Sequence, residues 1–168
     1  MDLTGKILVT TYPEKQSHTH AEQHAMAMDL LAQGGVFPYH NITHCPYGVA
    51  VALAPCPVGI DMEGPRHVSD ALIARCCSES EKALLSEAKA IGPDVFAATF
   101  CKLWTKKEST VKCTGEGITK KINRLPYEDY YYQHYAFANG GILTVCTKQP
   151  CKFTIENDSG NEDITIVK

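Results

Sequence analysis

Three carboxylates and one lysine carry the chemistry legible in this chain. Asp61 and Glu63 stand two residues apart in a run that reads as a strand, Cys56–Glu63 (CPVGIDME). On a strand they share one face while Val58, Ile60 and Met62 share the other. Two acids on one strand face repel, so a cation or basic group belongs between them. Glu108 lies four positions after Trp104 and eight after Phe100, on or beside an apolar helix stripe, with Lys112 one turn beyond it. Alone, Glu108 and Lys112 read as a weak i,i+4 ion pair. Joined to the strand pair, Glu108 completes a set of three oxygen donors that suits Mg2+, or Mn2+ in its place, beside a phosphate-bearing substrate.

The elements that must position these groups follow from periodicity and punctuation. Phe96, Phe100, Leu103, Trp104 and Val111 recur at three- and four-residue steps, which predicts a long helix stopped by Gly115 and Gly117. Ahead of it, Lys6–Thr11 reads as a strand and His18–Ala32 as a helix with Met26, Ala27, Leu30 and Leu31 inward. Val36–Thr43 and Tyr47–Ala54 read as strands, and Ser69–Cys76 as a short helix. Ser78 with Glu81 forms a capping-box pattern at the start of another helix. After Gly117 come strands at Tyr127–Ala138, Ile142–Thr147, Cys151–Glu156 and Ile164–Val167, with Gly140-Gly141 as a hairpin turn. His20 and His24, spaced i,i+4 after His18, suit a solvated helix face better than a metal site, because no obvious acidic or cysteine partner completes a ligand set there. The expected fold class is α+β, with antiparallel sheets and the Phe96–Gly115 helix packed across them.

The 168 residues, with formal net charge −3, fit one domain with a real core and argue against a nucleic-acid partner. The Tyr130-Tyr131-Tyr132 cluster lacks basic interleaving and reads as sheet packing. No run of 18 apolar residues predicts a membrane span, and the first residues lack a signal-peptide pattern. A cytoplasmic location is the expectation. The eight cysteines include no C-x-x-C pair and are expected as free thiols.

Gly59-Ile60-Asp61-Met62-Glu63 and Trp104-Thr105-Lys106-Lys107-Glu108-Ser109-Thr110-Val111-Lys112, followed by Gly115 and Gly117, resemble the paired signatures of 4'-phosphopantetheinyl transferases. Asn41-Ile42-Thr43-His44-Cys45 resembles the Asn-Ile-Ser-His-Ser segment of the surfactin-synthetase-activating branch, and Ser78-x-x-Glu81 the helix start between the two main motifs. Glu63 and Trp104 favour that branch over the trimeric holo-acyl-carrier-protein synthases. The resemblance spans about residues 38–147.

The resemblance implies a fold of antiparallel sheets with packed helices in two pseudo-twofold halves, about 1–54 and 55–168 within a single 1–168 domain, the first half reduced. It implies transfer of the 4'-phosphopantetheine arm of coenzyme A to a serine of an acyl or peptidyl carrier protein. Asp61, Glu63 and Glu108 would be the metal ligands, Glu108 and Lys112 the catalytic residues, and Thr43, His44, Lys107 and Lys112 the coenzyme contacts. Lys6 and Lys15 are the basic residues before Asn41. Family members build a phosphate clamp there; here the expectation is either weak coenzyme affinity or a clamp from Arg75, Lys102, Lys106 or Lys107, or from a second subunit in a homodimer. Two other readings are a coenzyme A-binding scaffold without turnover and a Mg2+-dependent hydrolase of nucleotide pyrophosphates.

Overall fold

In the computed structural model, which describes residues 2–117, 122–159 and 164–167, two four-stranded sheets close on a common apolar core. The chain runs β1 (Leu3–Thr11), α1 (His20–Gly34), β2 (Tyr39–Cys45), β3 (Gly48–Ala54), β4 (Val58–Glu63), α2 (Asp70–Cys76), α3 (Glu79–Ile91) and α4 (Pro93–Thr114). It continues through β5 (Tyr131–Phe137), β6 (Ile142–Thr147), β7 (Cys151–Asn157) and β8 (Ile164–Val167). The first sheet has the order β2-β3-β1-β7 and the second β4-β6-β5-β8.

Pairing is antiparallel throughout except that β7 runs parallel to β1. β7 is also the exception to a simple division near residue 54: it lies far beyond that point and joins the first sheet. A parallel pair needs a long crossover, and here that crossover is most of the protein.

Alternation along the strands sorts the faces. Ile7 and Val9 of β1, Ala50 and Ala52 of β3, Ile60 and Met62 of β4, and Leu143 and Val145 of β6 meet between the sheets. The opposite face of the first sheet, with Leu8, Val49, Val51 and Leu53, packs on Ala27 and Leu30 of α1. All seven residues of β3 (GVAVALA) are therefore buried, which is why that strand reads as a continuous apolar run. The outer face of the second sheet lies under α4, which packs on β4 and β6.

Local chemistry sets the helix ends. Thr19 with Glu22 and Ser78 with Glu81 form reciprocal capping boxes on α1 and α3. Pro93 opens α4 at its first turn, three residues ahead of the expected Phe96, because proline has no N–H to lose there. Gly115 ends α4 at φ 73° in the left-handed region. The expected strand from Tyr127 begins instead with a 3-10 turn at Tyr127–Asp129. All eight cysteines are buried free thiols.

β4 and α4 approach each other closely at Gly59. A Cβ placed on Gly59 would lie 1.9 Å from Ser109 O and 2.5 Å from Cys113 N. Glycine at that strand position, two residues before Asp61, lets the helix settle onto the sheet at Ser109 and Cys113, the residues that follow Glu108 and Lys112.

Candidate active site

Asp61 and Glu63 project from β4 on the face covered by α4, and α4 brings Glu108 and Lys112 down to them. Asp61 is 6% exposed, whereas Glu63, Glu108 and Lys112 are half-buried. The Lys112 ammonium donates to Asp61 Oδ1 at 2.7 Å and to Ile60 O at 3.0 Å. Lys112 thus pairs across to the strand rather than back along its own helix to Glu108. Asp61 Oδ2 is buried and has no hydrogen-bond partner among the described residues.

Mutual repulsion is written into the titration of the three acids. Burial first, then the Asp61 charge, pushes Glu63 up to about 7. The same two causes raise Glu108. Burial raises Asp61 as well, opposed by the Lys112 ammonium beside it. The one ammonium bonded in the site faces three converging carboxylates, so their mutual repulsion stays partly uncompensated.

Two side chains of β2 tie the edges of the two sheets together. Thr43 Oγ1 accepts from Met62 N at 3.1 Å and lies 3.4 Å from Asp61 Oδ1. Asn41 Oδ1 accepts from Ile60 N at 3.1 Å. These side chains replace the backbone ladder that the edge strand β4 lacks on that side. The Thr43 hydroxyl is thus engaged inside the protein, positioning Asp61, and Thr43 is 4% exposed.

His44, the next residue, faces a cavity of about 470 Å³ lined also by Lys15, His18 and Gln23. His20 meets its ring edge-on at 5.0 Å, and His20 stacks on His24 at 6.3 Å. Burial and then the neighbouring His20 and Lys112 depress His44, which favours its neutral imidazole. Among the described residues no group of three His, Cys, Asp or Glu side chains is arranged to hold a metal ion, the histidines of α1 included. That includes Asp61, Glu63 and Glu108, of which Asp61 is bonded to Lys112.

Lys107 goes elsewhere. It is 1% exposed, and its ammonium contacts both Glu81 oxygens at 2.8 Å, Tyr127 Oη at 2.8 Å and Ile122 O at 3.1 Å. With those partners its donors are spent, so it is not presented to a coenzyme in this structure. Glu81 also accepts from Ser78 N at 2.8 Å, combining the helix cap with a buried ion pair. Lys106 lies over the rings of Tyr127 and Tyr132, 4.3 and 4.7 Å from their centroids, and Arg75 is exposed on α2. None of these is set beside the acid cluster.

One residue beside that cluster was not singled out from the sequence. Arg66 follows β4 in the loop Gly64–Ser69, with its guanidinium 5.5 Å from the Trp104 ring centroid and 5.9 Å from that of Phe100. Its charge lowers the titration of Asp61, Glu63 and Glu108 alike.

Residues 57–165 match the 4'-phosphopantetheinyl transferase superfamily, and the chain belongs to it. Its similarity falls with the surfactin-type branch. It is 28% identical over 123 residues to 4'-phosphopantetheinyl transferase Sfp of Bacillus subtilis (strain 168), covering 73% of this chain and 51% of that one. It is 27% identical over 128 residues to psf-1 of Bacillus pumilus, covering 67% and 54%. Against gsp of Aneurinibacillus migulanus it is 34% identical over 85 residues, covering 51% and 35%. The matches take in about half or less of the length of these relatives.

Proposed function

We propose that this protein transfers the 4'-phosphopantetheine arm of coenzyme A to a serine hydroxyl of an acyl or peptidyl carrier protein. The observation that carries the reading is the convergence of Asp61, Glu63 and Glu108 under α4, with Asp61 Oδ2 buried and unpartnered among the described residues and each acid raised in its titration. Three carboxylates are the donor chemistry of a hard divalent ion such as Mg2+ or Mn2+, which Asp61, Glu63 and Glu108 would hold once drawn closer than they stand in this structure. Bound there, it supplies charge neutralisation for the coenzyme's diphosphate.

The chain's own groups account for the rest. Lys112, whose ammonium reaches Asp61 Oδ1 at the acid cluster, would hold a diphosphate oxygen. The cavity beside His44 and Lys15 suits the nucleotide end, where phosphate charge would favour the His44 imidazolium. Glu108, raised by its surroundings, is the base that accepts the serine proton. The serine oxygen forms its new bond to the phosphorus that bears the pantetheine arm. The bond from that phosphorus to the bridging oxygen breaks, and its electron pair leaves with adenosine 3',5'-bisphosphate. Thr43 holds Asp61 in place, and a cytoplasmic setting accords with coenzyme A as co-substrate.

The test is release of adenosine 3',5'-bisphosphate from coenzyme A, with and without an apo carrier protein. Release that requires the carrier supports transfer. Equal release without it would make the protein a pyrophosphate hydrolase, and no release with either would overturn the assignment.

A further inference from the structure

We propose that Arg66 is a substrate-binding residue that grips the diphosphate of coenzyme A from the side of the acid cluster opposite Lys112. The inference rests on the transferase reading above.

Arg66 is exposed, and its guanidinium makes no ion pair or hydrogen bond among the described residues. Its contacts are the faces of Trp104 and Phe100, two rings that themselves stack at 6.0 Å. Stacking orients a planar guanidinium and leaves its N–H edge uncommitted. An arginine with three acids in electrostatic reach would ordinarily close on one of them. This one follows Glu63 by three residues and lies over Trp104, one turn ahead of Glu108 on α4, yet it bonds to none.

The two cations of the site therefore differ in kind. Lys112 is inside, bonded to Asp61 and to Ile60 O. Arg66 is outside, in the loop that follows β4, held by the rings of Trp104 and Phe100, about two to three turns ahead of Lys112 on α4. A ligand lodged between them meets a point charge on one flank and a rigid fork of donors on the other. Two linked phosphates, each carrying charge and several acceptor oxygens, match that spacing of functions, and arginine's fork suits bidentate contact to such oxygens. Position also separates Arg66 from the cavity at His44, which is built from β2 and the segment ahead of α1 and lies away from Trp104 and Phe100.

The test compares coenzyme A binding, by calorimetry and by fluorescence of Trp104, the single tryptophan of the chain, in wild type, Arg66→Ala and Arg66→Lys. Arg66→Ala is expected to weaken coenzyme A about tenfold or more, and Arg66→Lys to restore part of that loss, because lysine keeps the charge but not the fork. The loss is expected to be equal for coenzyme A and for its 3'-dephospho form, and the KM for the carrier to stay unchanged. A loss confined to coenzyme A would move Arg66 to the 3'-phosphate and overturn the proposal. So would unchanged coenzyme affinity with a raised carrier KM, which would make Arg66 a carrier-docking residue. If wild type itself fails to bind coenzyme A, the transferase reading fails instead. Arg66 is exposed, so its variants are expected to fold, and their melting curves check this.

Discussion

Lys112 Nζ lies 2.7 Å from Asp61 Oδ1, while Oδ2 of the same carboxylate is buried with no partner among the described residues. Half of this carboxylate is satisfied by the protein and half is left for something else. In the free protein the ion pair also supplies Asp61's nearest positive charge. Removing Lys112 strands a buried carboxylate, which costs about 2–3 kcal/mol for a pair whose lysine is only part-buried. Lys112→Met should lower the denaturant midpoint accordingly, and the double variant Lys112→Met with Asp61→Asn should recover most of the loss. Additive losses in the double-mutant cycle would show that the two residues do not couple.

Lys107 and Glu81 form the more deeply buried pair, at 1% and 8% side-chain exposure. Lys107→Met leaves Glu81 with its charge and takes away the ammonium, so a loss of about 3–5 kcal/mol is expected. Coenzyme A affinity in the folded fraction should change less than twofold. A weakened coenzyme affinity with unchanged stability would return Lys107 to the binding role that the sequence motif suggested.

Gly59 sets how closely α4 approaches the acids of β4. Since a Cβ there meets backbone atoms of Ser109 and Cys113 rather than a movable side chain, Gly59→Ala should cost about 3 kcal/mol or more. Activity should fall further than stability alone explains, because Glu108 and Lys112 move with the helix. A variant with wild-type melting and turnover would contradict the packing described.

The elevated Glu63 gives a pH dependence with a definite sign. Its folded value of about 7 lies above the ordinary 4.5, so the protonated form favours the fold. That contribution is complete below about pH 4.5 and is lost as pH rises through 7. A divalent cation needs the ionised carboxylate, so its binding strengthens over the same window. Thermal melts at about pH 6 and about pH 8 should show Mg2+ raising the midpoint more at the higher pH. An equal or smaller rise there would remove Glu63 from the cation site.

The acids, the helix stripe and the capping residues were legible because each is a short-range signal: an alternation, a 3.6-residue period, a Ser-x-x-Glu. What lay beyond reach depends on long-range placement. Lys107 sits in a polar run, Lys106-Lys107-Glu108, that gives no hint which lysine is buried, and its partners Glu81, Ile122 and Tyr127 come from three other segments. Thr43 was assigned to the coenzyme, yet its hydroxyl is engaged across the sheet edges at Met62 and Asp61. That follows from two edge strands meeting, which no local pattern encodes. Arg66 is a lone arginine in a loop, and only the fold brings it over Trp104 and Phe100. β7 gave a clear strand signal but none for its parallel pairing to β1.

The most direct test is the intact mass of an apo carrier protein after incubation with this protein, Mg2+ and coenzyme A. The account predicts a gain of one phosphopantetheine arm, abolished by EDTA and reduced at least a hundredfold in rate by Glu108→Gln, as loss of a general base implies. No gain with several carriers, or a gain that persists both in EDTA and in Glu108→Gln, would contradict the assignment of the acid cluster.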